Sequence, residues 1–386
     1  MNLEIINLGE ICRKALGAYR REDLEIYEIS SQEITFYERD ESNSLSIYSL
    51  DLATRELRQL ASLDNDSDRS QSYIGLEALE GDTIYYSMED GGDLVYGQAG
   101  PGFRRELARG AYEVFLVLNQ DYGLGLYQDG GLALIDLADG RDYRVRGLDL
   151  EYNSFEGIRI LKQGGQDYLV FMDYIYDHYD YYEIFIKKEL DRCLSLDAGL
   201  YIVGLEDFVA RVKAGEEVAW TSLYEAENFS YINPVNYGPL ENFSLDSADD
   251  YYFSEIDYIR EHYSLYRIGQ DLKLEKLVEI SYEDQHDPYN IGVSLNPISI
   301  GFHREGAGAY SYKMAYPEDY SYRSDLALNE RLEAVYGEVL IISSWQENGE
   351  DYREFVKIKD RQSLEDLAIL EGQGILDSSQ ARLFII

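Results

Sequence analysis

Apolar and polar residues alternate along most of this chain in short runs, each closed by Gly, Asp, Asn or Ser, which is the period-two pattern of strands. The clearest stretch is EITFYERDESNSLSIYSLDLATRELRQL, residues 33–60: a strand, a polar turn, a strand ending at Asp51, a short turn and another strand. With LEIYEIS, residues 24–30, ahead of it, the unit has four antiparallel strands, a to d. Helical spacing is scarce. LEDFVARVKAGEE, residues 205–217, is the one good helix candidate, with Leu205, Phe208, Val209 and Val212 on one stripe. The pattern predicts an all-β chain.

The b and c strands of this unit recur from Asp82, Tyr122, Gln166, Asp249, Ile298 and Glu338. Taking Phe36, Tyr85, Gly125, Val170, Phe253, Gly301 and Ile342 as the centres of strand b, the steps are 49, 40, 45, 83, 48 and 41 residues. The long step reads as one insertion, residues 190–239, carrying the helix. At the C-terminus GILDSSQARLFII matches EIYEISSQEITFY, strands a and b; at the N-terminus LEIINLGEICRKAL matches LSIYSLDLATRELRQL, strands c and d. The two ends together would complete one unit.

A period of 40 to 50 residues with four strands per unit resembles β-propeller repeats over essentially the whole chain. The resemblance is general and names no particular family; the WD signature is absent. It implies a single propeller domain over residues 1–386, with eight blades, the last closed by the terminal strands, and seven as the alternative.

Composition narrows the partners. The chain of 386 residues is 45% hydrophobic and 13% aromatic, enough to bury a large core. Its 74 acidic against 34 basic residues give a net charge of −40, which argues against nucleic acid and anionic membrane surfaces and suits a cationic partner, a divalent cation or plain solubility. Cys12 and Cys193 match no metal or redox spacing. No apolar run is long enough to span a membrane and the start is acidic where a signal peptide would be basic, so a cytoplasmic protein is the expectation, with a secreted mature form as the alternative.

FMDYIYDHYDYYEIF, residues 171–185, places His178 among acids and tyrosines, as a ligating or acid–base centre would. Yet DYIYDHYDYYEI, from Asp173, recurs as DYIREHYSLYRI, from Asp257, at a constant offset of 84. The motif therefore predicts first an aromatic hairpin whose tyrosines pack across strands, with Asp177 and His178, or Glu261 and His262, in the wet b–c turn. In propeller repeats the b–c and d–a loops share one face, where ligands commonly bind. All four histidines map there: His178, His262, His303 ending a strand b, and His286 in a d–a loop nearer the axis. Asp177, Glu261, Asp284, Asp287 and Arg304 accompany them, and Trp345 ends a strand b on the same face.

Other signals are weaker. Asp64, Asp66 and Asp68 of DNDSD have the spacing of the first half of a calcium loop, but Arg69 and Gly75 stand where Gly and Glu are required. There is no GxSxG, HExxH, P-loop or GxGxxG. Trp220 and Trp345 suit sugar stacking or a buried role equally. The leading expectation is a non-enzymatic propeller that binds a protein or small ligand on its acidic loop face, with no cofactor beyond a divalent cation. A hydrolase or lyase acting on a sugar or peptide at the channel mouth is the alternative, and docking of a partner by the helix at 205–217 a third.

Overall fold

A computed structural model describes residues 3–16, 24–29, 32–41, 44–64, 74–90, 92–127, 130–149, 158–174, 198–226, 230–235, 251–257, 260, 262–281, 286–295, 298–304, 310–316, 319–323, 330–348, 351–377 and 382–385. β1 (Glu4–Asn7) runs into helix α1 (Leu8–Leu16). Sheet I then holds β2 (Leu24–Ile29), β3 (Glu33–Arg39), β4 (Leu45–Asp51) and β5 (Leu57–Leu63). Sheet II holds β6 (Ile74–Glu80), β7 (Thr83–Asp90), β8 (Asp93–Gly100) and β9 (Phe103–Arg109), and sheet III β10 (Val114–Val117), β11 (Tyr122–Leu126), β12 (Gly131–Asp136) and β13 (Asp142–Asp149). Sheet IV holds β14 (Arg159–Gln163), β15 (Gln166–Tyr174), β16 (Ala198–Gly204) and β17 (Thr221–Glu225), with helix α2 (Leu205–Ala214) between the last two.

Sheet V holds β18 (Ser230–Val235), β19 (Tyr251–Asp257), β20 (His262–Ile268) and β21 (Leu274–Ser281), and sheet VI β22 (His286–Leu295), β23 (Ile298–Arg304), β24 (Tyr310–Tyr316) and β25 (Asp319–Arg323). Sheet VII holds β26 (Glu330–Tyr336), β27 (Val339–Asn348), β28 (Asp351–Asp360) and β29 (Asp366–Glu371). Sheet VIII joins β30 (Gly374–Asp377) and β31 (Arg382–Ile385) to β1. Successive open four-stranded antiparallel sheets, with a three-stranded one formed by the two chain ends, make the protein an all-β propeller.

The cores lie between sheets. Leu45, Ile47, Ile84, Tyr86 and Val95 pack I on II, and Tyr85, Tyr96, Phe115 and Ile135 pack II on III. Val170, Leu200, Phe253 and Tyr266 pack IV on V. Alternation along β31 divides the seam: Phe384 packs with Ile6, Ile26 and Phe36 of sheets VIII and I, while Leu383 and Ile385 pack with Ile341, Val356 and Ile358 of sheet VII.

A recurring turn explains the Asp51 motif. The Asp51 carboxylate accepts the N–H groups of Ala53 (2.9 Å) and Thr54 (2.7 Å), and Asp360 accepts those of Gln362 (2.9 Å) and Ser363 (2.8 Å). Asp136 opens the same turn in sheet III, accepting from Ala138 at 3.1 Å. Those backbone hydrogen bonds lower the Asp51 and Asp360 carboxyls; for Asp136 the Lys213 ammonium is the larger cause. The turn needs a left-handed residue four positions on: Gly140 fits it without strain, whereas Arg55 (φ 62°) and Leu364 (φ 61°) take it at a steric cost.

Three expectations need correction. Eight four-stranded blades, the last completed by the two chain ends, are not found: the described strands give seven four-stranded sheets and one of three strands. In that sheet β1 pairs parallel with β31, and the residues expected to form strand d are helical instead, as α1. Asn7 accepts the Glu10 N–H at 2.8 Å, an N-cap with an acid three residues on, and Leu8 and Ile11 then face the core at helical spacing. Lastly, residues 190–239 are not one insertion, because β16 and β17 from that segment are the third and fourth strands of sheet IV and β18 opens sheet V. The helix itself is present, ends at Gly215 (φ 72°), and buries Leu205, Phe208 and Val212.

Candidate functional site

The aromatic hairpin forms in its second copy. β19 and β20 pair from Tyr251↔Ile268 to Asp257↔His262, and Tyr263 and Tyr266 are buried. His262 donates from Nδ1 to the carbonyl of Arg260, whose own N–H binds Asp257 at 2.8 Å and whose guanidinium lies 3.5 Å from the same carboxylate. The first copy differs. β15 pairs with β16 (Tyr174↔Ala198), so the c position of sheet IV belongs to residues 198–204 and not to the stretch after His178. Asp177, His178, Glu261, Asp284, Asp66 and Asp68 lie outside the described residues, and Asp64 is exposed at the end of sheet I.

Sheet VI gathers four candidates at one end. His286 stands opposite Arg304, Asp287 opposite His303, and His303 opposite Tyr310. His286 thus opens a strand, where a d–a loop was expected, and a bulge separates Asp287 from the regular pairing that resumes at Ile291. His262 pairs with Ser281, the last residue of β21, and His286 follows Ser281 by five residues, a reach of at most roughly 18 Å. The ends of sheets V and VI that carry histidines are therefore neighbours. Trp345 is half-buried opposite Glu354, and β27 continues past it to Asn348, so it does not end the strand. Among the described residues no group of three or more His, Cys, Asp or Glu side chains could hold a metal ion.

Trp220 is core: its ring meets Phe171 edge-on at 4.4 Å and tilts over Phe208 at 5.8 Å. Helix α2 is itself tied down, with Lys213 2.9 Å from Asp136 and its ammonium over the Tyr122 ring.

The sequence reading missed two kinds of carboxylate. The first is paired with phenols. Glu255, buried in β19, accepts from Tyr224 (2.7 Å) of sheet IV and Tyr266 (2.9 Å) of sheet V. Asp142 accepts from Tyr112 (3.0 Å) and Tyr127 (2.5 Å), with the Tyr112 ring lying where a Cβ on Gly125 would be, 2.5 Å away. Burial, helped by the neighbouring carboxylate, pushes the Tyr112 and Tyr224 phenols up and brings Tyr127 to about 12.

The second kind sits on first strands. Glu77 is the bulged residue of β6, exposed, yet desolvation pushes its carboxyl above the usual range against the lowering effect of Ser87. Glu333 is the bulged residue of β26 and accepts from Ser343 at 2.6 Å. LEAL-to-Ser87 and LEAV-to-Ser343 repeat at an offset of 256, a signal present in the sequence.

No family model matches the chain, and no curated protein matches it. Some solved structures resemble it distantly. An oligogalacturonate lyase in complex with manganese is 10% identical over 89% of this chain and 82% of that one, with a TM-score of 0.43. Oligogalacturonate lyase from Vibrio parahaemolyticus is 8% identical over 92% and 87%, with a TM-score of 0.42. Oligopeptidase B from Trypanosoma brucei, with covalently bound antipain, is 10% identical over 95% of this chain and 51% of that one, with a TM-score of 0.48; the chain spans about half of that enzyme. Likeness at this level carries nothing about activity. No helix among the described residues is long and apolar enough to cross a membrane.

Proposed function

We propose that the protein is a non-enzymatic binding propeller which recruits a cationic protein or small ligand at the neighbouring ends of sheets V and VI. The observation that carries this reading is the register that brings His286, Asp287, His303 and Arg304 to one sheet end, beside the end that carries Asp257 and His262. The surplus of acids supports it, since long-range attraction to a cation needs many uncompensated carboxylates. The test is calorimetric titration with octalysine at low salt. Asp287→Lys should weaken binding about five- to tenfold, and Glu216→Lys, a matched charge reversal beside α2, should leave it near wild type. Equal losses from both variants would mean attraction to the whole surface and would sink the reading.

A second reading, a hydrolase or lyase working at the channel mouth, is favoured by Glu77 alone. An accessible carboxyl that holds its proton above the ordinary carboxylate range can donate it to a leaving group. Its raised value predicts that the side chain stays protonated at pH values where exposed glutamates have ionised. Carboxyl-detected NMR titration checks this, and an ordinary midpoint would remove Glu77 as an acid.

A further inference from the structure

In sheet VIII the strand in third place behaves like a strand in fourth place. Third strands of sheets I to V are largely buried, as in Ile47, Val95, Ala133, Leu200 and Leu265, each with a fourth strand on its outer side. β1 stands third in the order β30, β31, β1, yet only Ile6 is buried; Glu4, Ile5 and Asn7 are exposed. Ile5 is 46% exposed while its cross-strand partner Leu383 is fully buried, so the exposure comes from the outer side. Among the described residues no strand lies there, since the chain enters α1 directly after Asn7.

The neighbouring sheet supplies a wall for this position. Ala368 and Leu370 on β29, the outermost strand of sheet VII, turn toward sheet VIII and are only half-buried. Charge marks one end. Asn7, Ile385 and Gly374 are register partners at that end, and Glu371 closes β29 three residues before Gly374. Glu10 opens α1 there, and both glutamates are exposed. At the other end Glu4 is already matched by Arg55 (2.9 Å) and Arg382 (3.3 Å).

We propose that the outer edge of β1 accepts, as a fourth strand of sheet VIII, an extended segment of a partner protein in which apolar and basic residues alternate. Main-chain groups of Glu4–Asn7 would pair with it, an apolar residue would cover Ile5, and a basic residue would meet Glu10 and Glu371. A second copy of the chain is the poorer occupant, because it would bring another charge of −40 to the same edge.

Hydrogen exchange on the full chain tests this with a synthetic peptide of alternating valine and lysine. At about ten times its dissociation constant the outward amides of Glu4–Asn7 should exchange about tenfold more slowly. A valine–glutamate peptide should leave them unchanged. Ile5→Lys, a substitution of an exposed side chain, should abolish the slowing while thermal unfolding stays near wild type, and Ile5→Ala should retain part of it. Binding of the basic peptide without protection at Glu4–Asn7 would overturn the proposal, as would equal protection by the acidic peptide. Slowing that grows with protein concentration and needs no peptide would assign the edge to a second copy and overturn it as well.

Discussion

Glu255 and Glu330 are both buried carboxylates on sheet faces, and the protein keeps them in opposite ways. Glu255, in β19, accepts from two phenols at the boundary of sheets IV and V, while Tyr266 stacks on Phe253 with ring centres 4.9 Å apart. Glu330, opening β26, sits between two ammonium groups, Lys357 at 2.7 Å and Lys359 at 3.3 Å. A chain with 34 basic residues cannot give each of its 74 acids a cation, and its 37 tyrosines supply donors that add no charge. A phenol satisfies the carboxylate's lone pairs without bringing a second ion out of water, whereas the lysines must themselves be desolvated. Tyrosine richness here is thus a way of sealing acidic sheets against one another.

Removing one partner from each group should expose the difference in cost between the two arrangements. Lys357→Met strips a buried carboxylate of its nearer cation, and with Lys359 still in place the cost should be about 3 kcal/mol in urea unfolding. Tyr266→Phe keeps the stacked ring and deletes one neutral donor, and Tyr224 still serves Glu255, so the loss should be about 1 kcal/mol. If the tyrosine variant proved the more costly, phenols would be the principal anchors of these carboxylates and the lysines a refinement.

The same contrast between local pattern and burial decides how much was legible in the sequence. Every proposed centre of strand b, from Phe36 to Ile342, lies in the second strand of its sheet, and Phe384 lies in the second strand of sheet VIII. Period-two spacing between turn signals suffices for that. It failed for the third strand of sheet IV, because a third strand is buried on both faces and wants a near-continuous apolar run. AGLYIVG has one, with Leu200 and Ile202 on one side and Val203 on the other, whereas HYDYYEIF carries acids. At the N-terminus a propeller match overrode the capping signal Asn7-Leu8-Gly9-Glu10. Of the candidate residues, repeat position placed His303 near the end of its second strand, while His286 opens a strand where a d–a loop was expected. The phenol-bound acids were not legible, since Tyr224 and Glu255 meet across two sheets and are 31 residues apart.

Alkali acts on the phenol-bound carboxylates in particular. A phenol whose pKa is raised in the folded state binds its proton more tightly there than in the unfolded chain. Its contribution is therefore complete below the unfolded value, about 10, and is lost as pH rises through the folded value. For Tyr127, pushed up to about 12 by burial and by Asp142, the loss falls between those two values; Tyr224 and Tyr266 are displaced in the same direction. Above that window each phenolate faces a carboxylate it formerly served, so donation becomes repulsion. Stability should fall over this range with tyrosinate absorbance rising in step. Tyr127→Phe cannot ionise, so it should begin less stable at neutral pH by the loss of one hydrogen bond to Asp142 and then show a shallower alkaline decline. A decline as steep in that variant as in the wild type would place the alkaline sensitivity outside the Asp142 cluster.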